Sequence, residues 1–164
     1  MSDFITVFEI TWNSNGELAE TTGRFVIGLA AVIGGLAVVI RRLRRGDNVT
    51  KIIATTFVIL WGLGWLYLGQ FHHGFGHVYE LVNAYRQKQY ETVEGAVQVV
   101  HQQPATGHTK GDVIRVNGKE FEVNYFYATP AYRKTISHQG SLNGGTYARL
   151  YYYDGEILRV DVRN

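Results

Sequence analysis

Two long stretches without a charged side chain constrain this chain more than any other feature of its sequence. Residues 25–40 and 52–69 are strongly apolar and contain no Asp, Glu, Lys or Arg. About 20 apolar helical residues cross the ~30 Å hydrocarbon core of a bilayer. The first stretch is the shorter one, and Arg24 and Arg41 extend it because their long side chains reach towards the interfaces. The sequence therefore predicts a transmembrane helical hairpin over residues 23–71.

Two other interpretations of the apolar stretches are disfavoured. A pair of buried core helices in a soluble protein is one, and the remainder of the chain is too polar to surround two such helices. A cleaved signal peptide is the other, but no basic segment precedes residue 25 and no small-residue cleavage pattern follows residue 40. We therefore expect the first helix to remain in the mature protein.

The charges that flank the two stretches predict their orientation. The loop at residues 41–51 carries mostly basic residues, Arg41, Arg42, Arg44, Arg45 and Lys51 against Asp47. The N-terminal segment, residues 1–22, carries only acidic charges. Short loops rich in Lys and Arg stay in the cytoplasm. We therefore expect the loop to be cytoplasmic, and the N-terminal segment and everything after residue 71 to lie outside.

Small residues form one smooth side of the first apolar helix. Gly28, Ala31 and Gly35 recur at spacings of three and four residues, which lets helices pack closely. This side docks either on the second helix of the same chain or on the helices of another membrane protein. The second alternative makes these three residues candidates for partner binding.

The chain becomes amphipathic after the second stretch. Within residues 72–91, Val78, Leu81, Val82 and Tyr85 recur at the i, i+3, i+4 and i+7 positions of one helix face. This spacing predicts an amphipathic connector helix that joins the membrane anchor to the rest of the chain.

Turn signals divide residues 92–164 into strands. Asn117-Gly118 and Asp154-Gly155 each lie between runs of alternating apolar residues, a pattern typical of two-residue hairpin turns. The two hairpins and a leading valine-rich run predict five strands. Because five short strands do not make a stable flat sheet with one exposed face, we expect a small closed β-barrel of the OB-like or SH3-like type. The predicted fold class is therefore membrane α + β.

Composition and motifs argue against catalysis. The chain has no Cys, which excludes a disulfide scaffold and a thiol nucleophile, and its net charge of +2 gives no case for nucleic-acid binding. It contains no phosphate-binding loop, nucleophile elbow, dinucleotide fingerprint or His-Glu-x-x-His motif. His73 and His77 have the spacing of two metal ligands on one helix face, but two glycines lie between them. We therefore expect no cofactor, no metal site and no enzymatic activity. A metal-dependent enzyme that uses the histidines is an alternative.

Tyrosine is concentrated in the second half of the chain. Tyr151, Tyr152 and Tyr153 are consecutive in a predicted strand, so neighbouring side chains point to opposite faces of the sheet. Exposed Tyr is enriched where proteins bind proteins. The three tyrosines are therefore either candidate partner-binding residues or parts of the core and rim of the barrel.

The predicted β-domain contains four short motifs: VEGAV at residues 93–97, VNGKEFEV at 116–123, HQG at 138–140 and GTYARLYY at 145–152. In these motifs the chain resembles short, uncharacterised bacterial inner-membrane proteins that pair two N-terminal transmembrane helices with a small extracytoplasmic β-domain. The resemblance implies an inner-membrane location and a periplasmic β-domain. It implies no activity.

These observations favour a non-enzymatic, membrane-anchored accessory or binding subunit. We expect it to associate with a larger inner-membrane assembly, or with itself, through its transmembrane helices and its periplasmic β-domain. Its expected partners are the lipid bilayer and a membrane protein. An immunity-type inhibitor of a toxin that acts from the periplasm is a further alternative.

Overall fold

The computed structural model of the chain describes residues 3–67, 74–107 and 109–163. It divides into two compact units, one over Gly16–His77 and one that joins Met1–Asn15 to Val78–Asn164. The first is helical and the second contains a β-sheet, so the mixed α + β class is confirmed. We call them the helical unit and the β-unit.

The helical unit contains α1 (Glu17–Arg45) and α2 (Val49–Trp65). Helix α1 ends at Gly46, whose φ of 68° is the left-handed conformation that closes many helices. Helix α2 begins after Asn48, whose side chain accepts a hydrogen bond from the Thr50 N–H at 3.0 Å and so caps the helix. The two helices pack against each other through a small apolar cluster, Val32, Ile59 and Leu66.

Within the described ranges, one helix is long and apolar enough to cross a membrane. It runs from Ser14, in a short 3-10 turn (Ser14–Gly16), through α1 to Arg45. Only 6% of its most apolar window is buried, so its apolar side chains are mostly exposed. Helix α2 is also apolar but has 17 residues. The structure therefore contains a packed helix pair with one candidate span, and it does not confirm the predicted two-span hairpin.

Among its described residues, the β-unit contains six strands, one α-helix and a short 3-10 helix (Ile136–His138). The strands are β1 (Phe4–Glu9), β2 (Glu91–His101), β3 (Asp112–Val116), β4 (Lys119–Val123), β5 (Tyr147–Tyr153) and β6 (Glu156–Arg163). Helix α3 (His77–Arg86) lies in the amphipathic segment, and its predicted apolar face is buried. Val78, Leu81 and Val82 pack there with Ile10 and Leu158.

All neighbouring strands are antiparallel, in the order β1-β6-β5-β2-β3-β4. Strand β2 belongs to both halves of the sheet, because residues 91–96 pair with β5 and residues 97–101 pair with β3. The main core takes side chains from both halves, including Ile114 and Phe121 from one half and Leu150 and Val160 from the other. The two halves of the sheet therefore face each other across one core.

The predicted hairpins are present. Strands β3 and β4 are joined at Asn117-Gly118 and strands β5 and β6 at Asp154-Gly155, and φ is positive at all four residues. Type I′ turns require positive φ at both central positions, which Asn, Asp and Gly adopt most readily. These local signals therefore predicted the connections correctly.

The predicted five-stranded closed barrel is wrong in two respects. The described residues form a six-stranded sheet, and it is open, with β1 and β4 at its edges. The sixth strand, β1, lies in the segment assigned to residues 1–22, and its partner β6 is at the other end of the chain. The β-unit also includes α3, which the sequence analysis placed in the connector 72–91.

The segments that make up the β-unit predict how it can be isolated. Phe4 and Arg163 are paired across β1 and β6, so a loop of about two to five residues can join the two ends. A circularly permuted chain lacks the helical unit if it joins residues 77–163 to residues 3–15 through this loop. We expect it to unfold in one cooperative transition when circular dichroism is followed on heating. Residues 92–163 alone leave Leu158 uncovered and should not fold cooperatively. Equal thermal stability of the two chains would contradict the pairing of β1 with β6 and the packing of α3 on Leu158.

Candidate functional site

The structure places two of the predicted small residues against the second helix. A Cβ added at Gly28 would overlap the side chain of Leu66, and one added at Gly35 would lie 2.9 Å from Ile59 Cγ1. Both glycines therefore allow the close approach of α1 and α2. At these two positions, the first helix therefore packs on the second helix of the same chain, which is one of the two predicted alternatives.

Ala31, the third predicted small residue, is exposed. Together with Gly28 it lines a groove of about 300 Å³ on the helical unit. Trp61, Gly62 and Trp65 also line this groove, and the two indole rings stack with centroids 6.1 Å apart. The groove is mainly apolar and contains small residues from both helices, which are the features that favour close packing of a further helix.

The three predicted tyrosines are divided between the two faces of β5. Burial alternates along this strand, with Ala148, Leu150 and Tyr152 buried. Tyr152 contacts Phe121 edge to face at 4.9 Å, and its hydroxyl donates to Glu91 Oε2 at 2.6 Å. This hydrogen bond, assisted by desolvation, raises the pKa of the Tyr152 phenol. Tyr152 is therefore a core residue with one polar contact.

Tyr151 and Tyr153 are half-buried on the other face. Tyr151 meets Tyr90 edge to face at 5.3 Å, and Tyr153 packs beside the apolar face of α3. Tyr153 and Tyr152 nevertheless both line an open cleft of about 550 Å³ at the end of β5, together with Glu91 and Asp154. The structure brings these two tyrosines to one cleft and leaves Tyr151 on the sheet surface.

The outer face of the sheet carries a surface that the sequence analysis missed. Three guanidinium groups lie over aromatic rings there: Arg149 over Phe4 at 4.3 Å, Arg163 over Tyr147 at 4.0 Å and Arg159 over Tyr151 at 5.1 Å. Such contacts are favourable cation–π interactions. Arg and Tyr at alternate positions of β5 were a visible signal, but Phe4 belongs to a strand whose pairing only the fold reveals. We call these six residues the arginine–aromatic face.

Acidic side chains fix the arginines of this face. Arg149 Nε donates to Glu94 Oε2 at 2.7 Å, and this contact holds the pKa of the Glu94 carboxyl below its ordinary value. Asp161 accepts hydrogen bonds from Arg159 Nε at 2.8 Å and from Thr6 Oγ1 at 2.7 Å. Burial alone would raise the pKa of Asp161, but these bonds together outweigh it and lower the pKa. The face is therefore held in one arrangement.

A side-chain hydrogen bond also joins the N-terminal strand to α3. The Tyr85 hydroxyl donates to Glu9 Oε1 at 2.7 Å. Burial of the phenol and this hydrogen bond to a carboxylate raise the pKa of Tyr85 to about 12. The neutral, donating form of the tyrosine is therefore the one present at ordinary pH.

Ser137, His138 and Asp112 are near one another but do not form a nucleophile–base pair. Ser137 Oγ donates to the Gln103 carbonyl at 2.8 Å, and His138 Nδ1 bonds Thr135 Oγ1 at 2.7 Å. The Asp112 carboxylate accepts backbone N–H groups at both oxygens, from Gln103 and Ile136. These side chains hold loops together. The expectation that the protein is not an enzyme stays a prediction.

The histidine cluster lies largely beyond what the structure describes. His72, His73 and His108 are outside the described residues. Among the residues that are described, no group of three or more His, Cys, Asp or Glu side chains is placed to hold a metal ion. The metal-dependent alternative therefore gains no geometric support from the described part of the chain.

No known protein family, curated protein or solved structure matches this chain. The resemblance to short bacterial inner-membrane proteins stays a prediction.

The contacts of Asp161 predict a loss of stability in acid. Its lowered folded-state pKa means that its contribution is complete above the unfolded value of about 3.9 and falls as the pH drops through the folded value. Hydrogen bonds to charged groups contribute about 1.5–3 kcal/mol, so Asp161→Asn should lower the free energy of unfolding at pH 7 by about that amount.

Chemical denaturation from pH 7 to pH 3 measures this effect, and the difference between the two proteins should shrink below about pH 4. Asp154→Asn is the matched control, because Asp154 is an exposed turn residue with positive φ, which Asn also adopts. The stabilising role of the Asp161 contacts is contradicted if Asp161→Asn is no more destabilising than the control.

Proposed function

We propose that this protein is a non-enzymatic, membrane-anchored accessory or binding subunit of the bacterial inner membrane. In this proposal α1 and α2 are two transmembrane spans, and the β-unit lies in the periplasm. The observation that carries the proposal is the pairing of β1, which precedes α1, with β6, which follows α2.

This pairing constrains the number of membrane crossings. The chain leaves the β-unit at Asn15 and rejoins it at Val78, so both ends of the helical unit start on the same side of any membrane. If α1 crosses, a second crossing must return the chain. Helix α2 is the apolar candidate; its 17 residues rise about 26 Å, and a span this short is accommodated by bilayer thinning or by its flanking residues.

The same pairing disfavours a cleaved signal sequence. Cleavage after α1 would remove β1 and expose the edge of β6. It would also remove the hydrogen bond from Thr6 to Asp161. An unpaired sheet edge with an apolar neighbour is prone to aggregation. A retained α1 keeps the sheet complete.

The basic loop supports the orientation of the two spans. Arg42 Nη1 donates to the Lys51 carbonyl and to Thr55 Oγ1, each at 2.7 Å, and so ties the two helices together. The other arginines at the C-terminal end of α1, Arg41, Arg44 and Arg45, are exposed. Exposed basic residues beside a span favour the cytoplasmic side.

Cysteine labelling tests the topology, because the chain has no Cys of its own. Asn13→Cys and Asn143→Cys are exposed positions of the β-unit, and Thr50→Cys is exposed at the start of α2. In intact spheroplasts, a membrane-impermeant reagent should label the first two and not the third. Lysed cells should label all three.

The competing topologies give different labelling patterns. Opposite accessibility at positions 13 and 143 would exclude the shared sheet in the membrane-bound protein. Labelling at position 50 alone would invert the orientation.

The groove around Ala31 is the part of the anchor that we propose for partner binding. Ala31→Leu fills this groove, and Ala30→Leu adds the same side chain at an exposed position that does not line it. Interface hot spots contribute about 2 kcal/mol, so Ala31→Leu should weaken association at least tenfold and Ala30→Leu should not. Quantitative mass spectrometry of proteins co-purified in mild detergent, with light scattering for self-association, measures this.

Gly35→Leu is an informative third variant. It should disturb the α1–α2 contact at Ile59, and thereby insertion, rather than partner binding alone. Unchanged association in Ala31→Leu with normal insertion would exclude the groove as the docking site.

A further inference from the structure

Three consecutive aromatic side chains project from the turn after β4. Tyr125, Phe126 and Tyr127 are 38%, 55% and 57% exposed, although each is a large ring that is normally well buried. No charged residue lies between positions 123 and 132. The turn therefore presents an uncharged aromatic surface, which we call the aromatic turn.

Buried side chains hold this turn in place. Gln103 is 1% exposed, and its Oε1 accepts the Tyr125 N–H at 3.4 Å. Asn124 is also buried, and its Oδ1 accepts the Phe126 N–H at 3.0 Å and the Gln103 side-chain amide at 3.1 Å. Tyr125, the least exposed of the three rings, stacks on His138 with centroids 3.8 Å apart and planes within 5°. The rings are thus presented outward by a fixed backbone.

The aromatic turn is tied to the point where the chain enters α1. One guanidinium, that of Arg133, donates to the Tyr127 carbonyl at 3.2 Å and to the Asn15 carbonyl at 3.4 Å. The Asn15 side chain donates in turn to the carbonyls of Thr129 and Ala131, at 3.1 and 2.8 Å. Asn15 is the last residue of the β-unit before the helical unit begins.

We propose that the aromatic turn inserts into the interfacial region of the bilayer on the side of the β-unit. This inference rests on the proposed function, because it requires that α1 crosses that bilayer. Asn15 precedes the uncharged stretch at residue 25 by ten residues, or about 15 Å of helix, so the turn bonded to it lies near the lipid headgroups of that membrane face. Tyr suits this depth, because its hydroxyl can remain in water while its ring contacts acyl chains. Phe126 adds apolar ring surface.

The chemistry of the turn favours zwitterionic lipid as a sufficient partner. Residues 124–131 carry no charge, so insertion depends chiefly on burial of apolar ring surface. The Arg133 guanidinium, 5.9 Å from the Tyr125 ring centroid, adds attraction to anionic headgroups but is not required for insertion. Insertion should therefore persist in phosphatidylcholine and at high salt. A protein that covers the same rings is the competing occupant.

Spin labelling of the full chain distinguishes these possibilities. Phe126→Cys carries the label on the turn, Asn143→Cys carries it on an exposed loop of the same unit, and Ile33→Cys carries it on an exposed position of α1. Each protein is reconstituted in phosphatidylcholine nanodiscs. Collision rates with oxygen, which concentrates in lipid, are compared with those of a water-soluble nickel complex.

We expect the ratio of oxygen to nickel collisions to be severalfold higher at positions 33 and 126 than at position 143, with and without high salt. Because Phe126→Cys removes one ring, Tyr127→Cys is measured in parallel and keeps Phe126. The thermal transition of the β-unit shows that each variant is folded.

Each contrary result identifies what failed. A lipid signal at position 33 with water exposure at positions 126 and 127 overturns the insertion of the turn and leaves the proposed anchor intact. Shielding of positions 126 and 127 from both reagents also overturns it and identifies protein as the occupant. Water exposure at position 33 overturns the proposed function, and the inference with it.

Discussion

The antiparallel pairing of β1 with β6 is the contact on which the rest of the structure depends. It joins the first strand of the chain to the last, and the Thr6 hydroxyl bonds Asp161 across 155 positions of sequence. The entropic cost of closing so long a loop grows only with the logarithm of its length, so an ordinary strand pair is sufficient to close it. The chain must therefore leave the sheet after β1 and return to the same sheet before it ends at β6.

The small residues of α1 face both the second helix and an open groove. Gly28 and Gly35 lie against the side chains of Leu66 and Ile59, while Ala31 and Gly28 line an open groove. A glycine admits any helix that approaches closely enough, so its spacing in the sequence does not identify the neighbour. The contacts within the pair place both glycines against the second helix, while Ala31 lies in the open groove.

The polar residues of the β-unit mostly hold backbone in place. Asp112 and Gln103 are buried and bind N–H groups of loops that are distant in sequence, and Arg133 links Tyr127 to Asn15. Each buried polar group has to be satisfied, and here the partners are loop amides. This arrangement is what allows aromatic rings to remain on the surface in defined positions.

Local patterns in the sequence determined the elements whose physics is local. The apolar stretches became helices, the i, i+3, i+4 spacing around Val78 became α3, and the Asn-Gly and Asp-Gly pairs became turns, since each depends only on nearby residues. The tertiary structure alone decided that β1 joins the sheet, that the sheet stays open and that Tyr152 points into the core. A register shift between Tyr151 and Tyr152 sets which partners they meet, and pairing between distant strands leaves no mark in the local sequence.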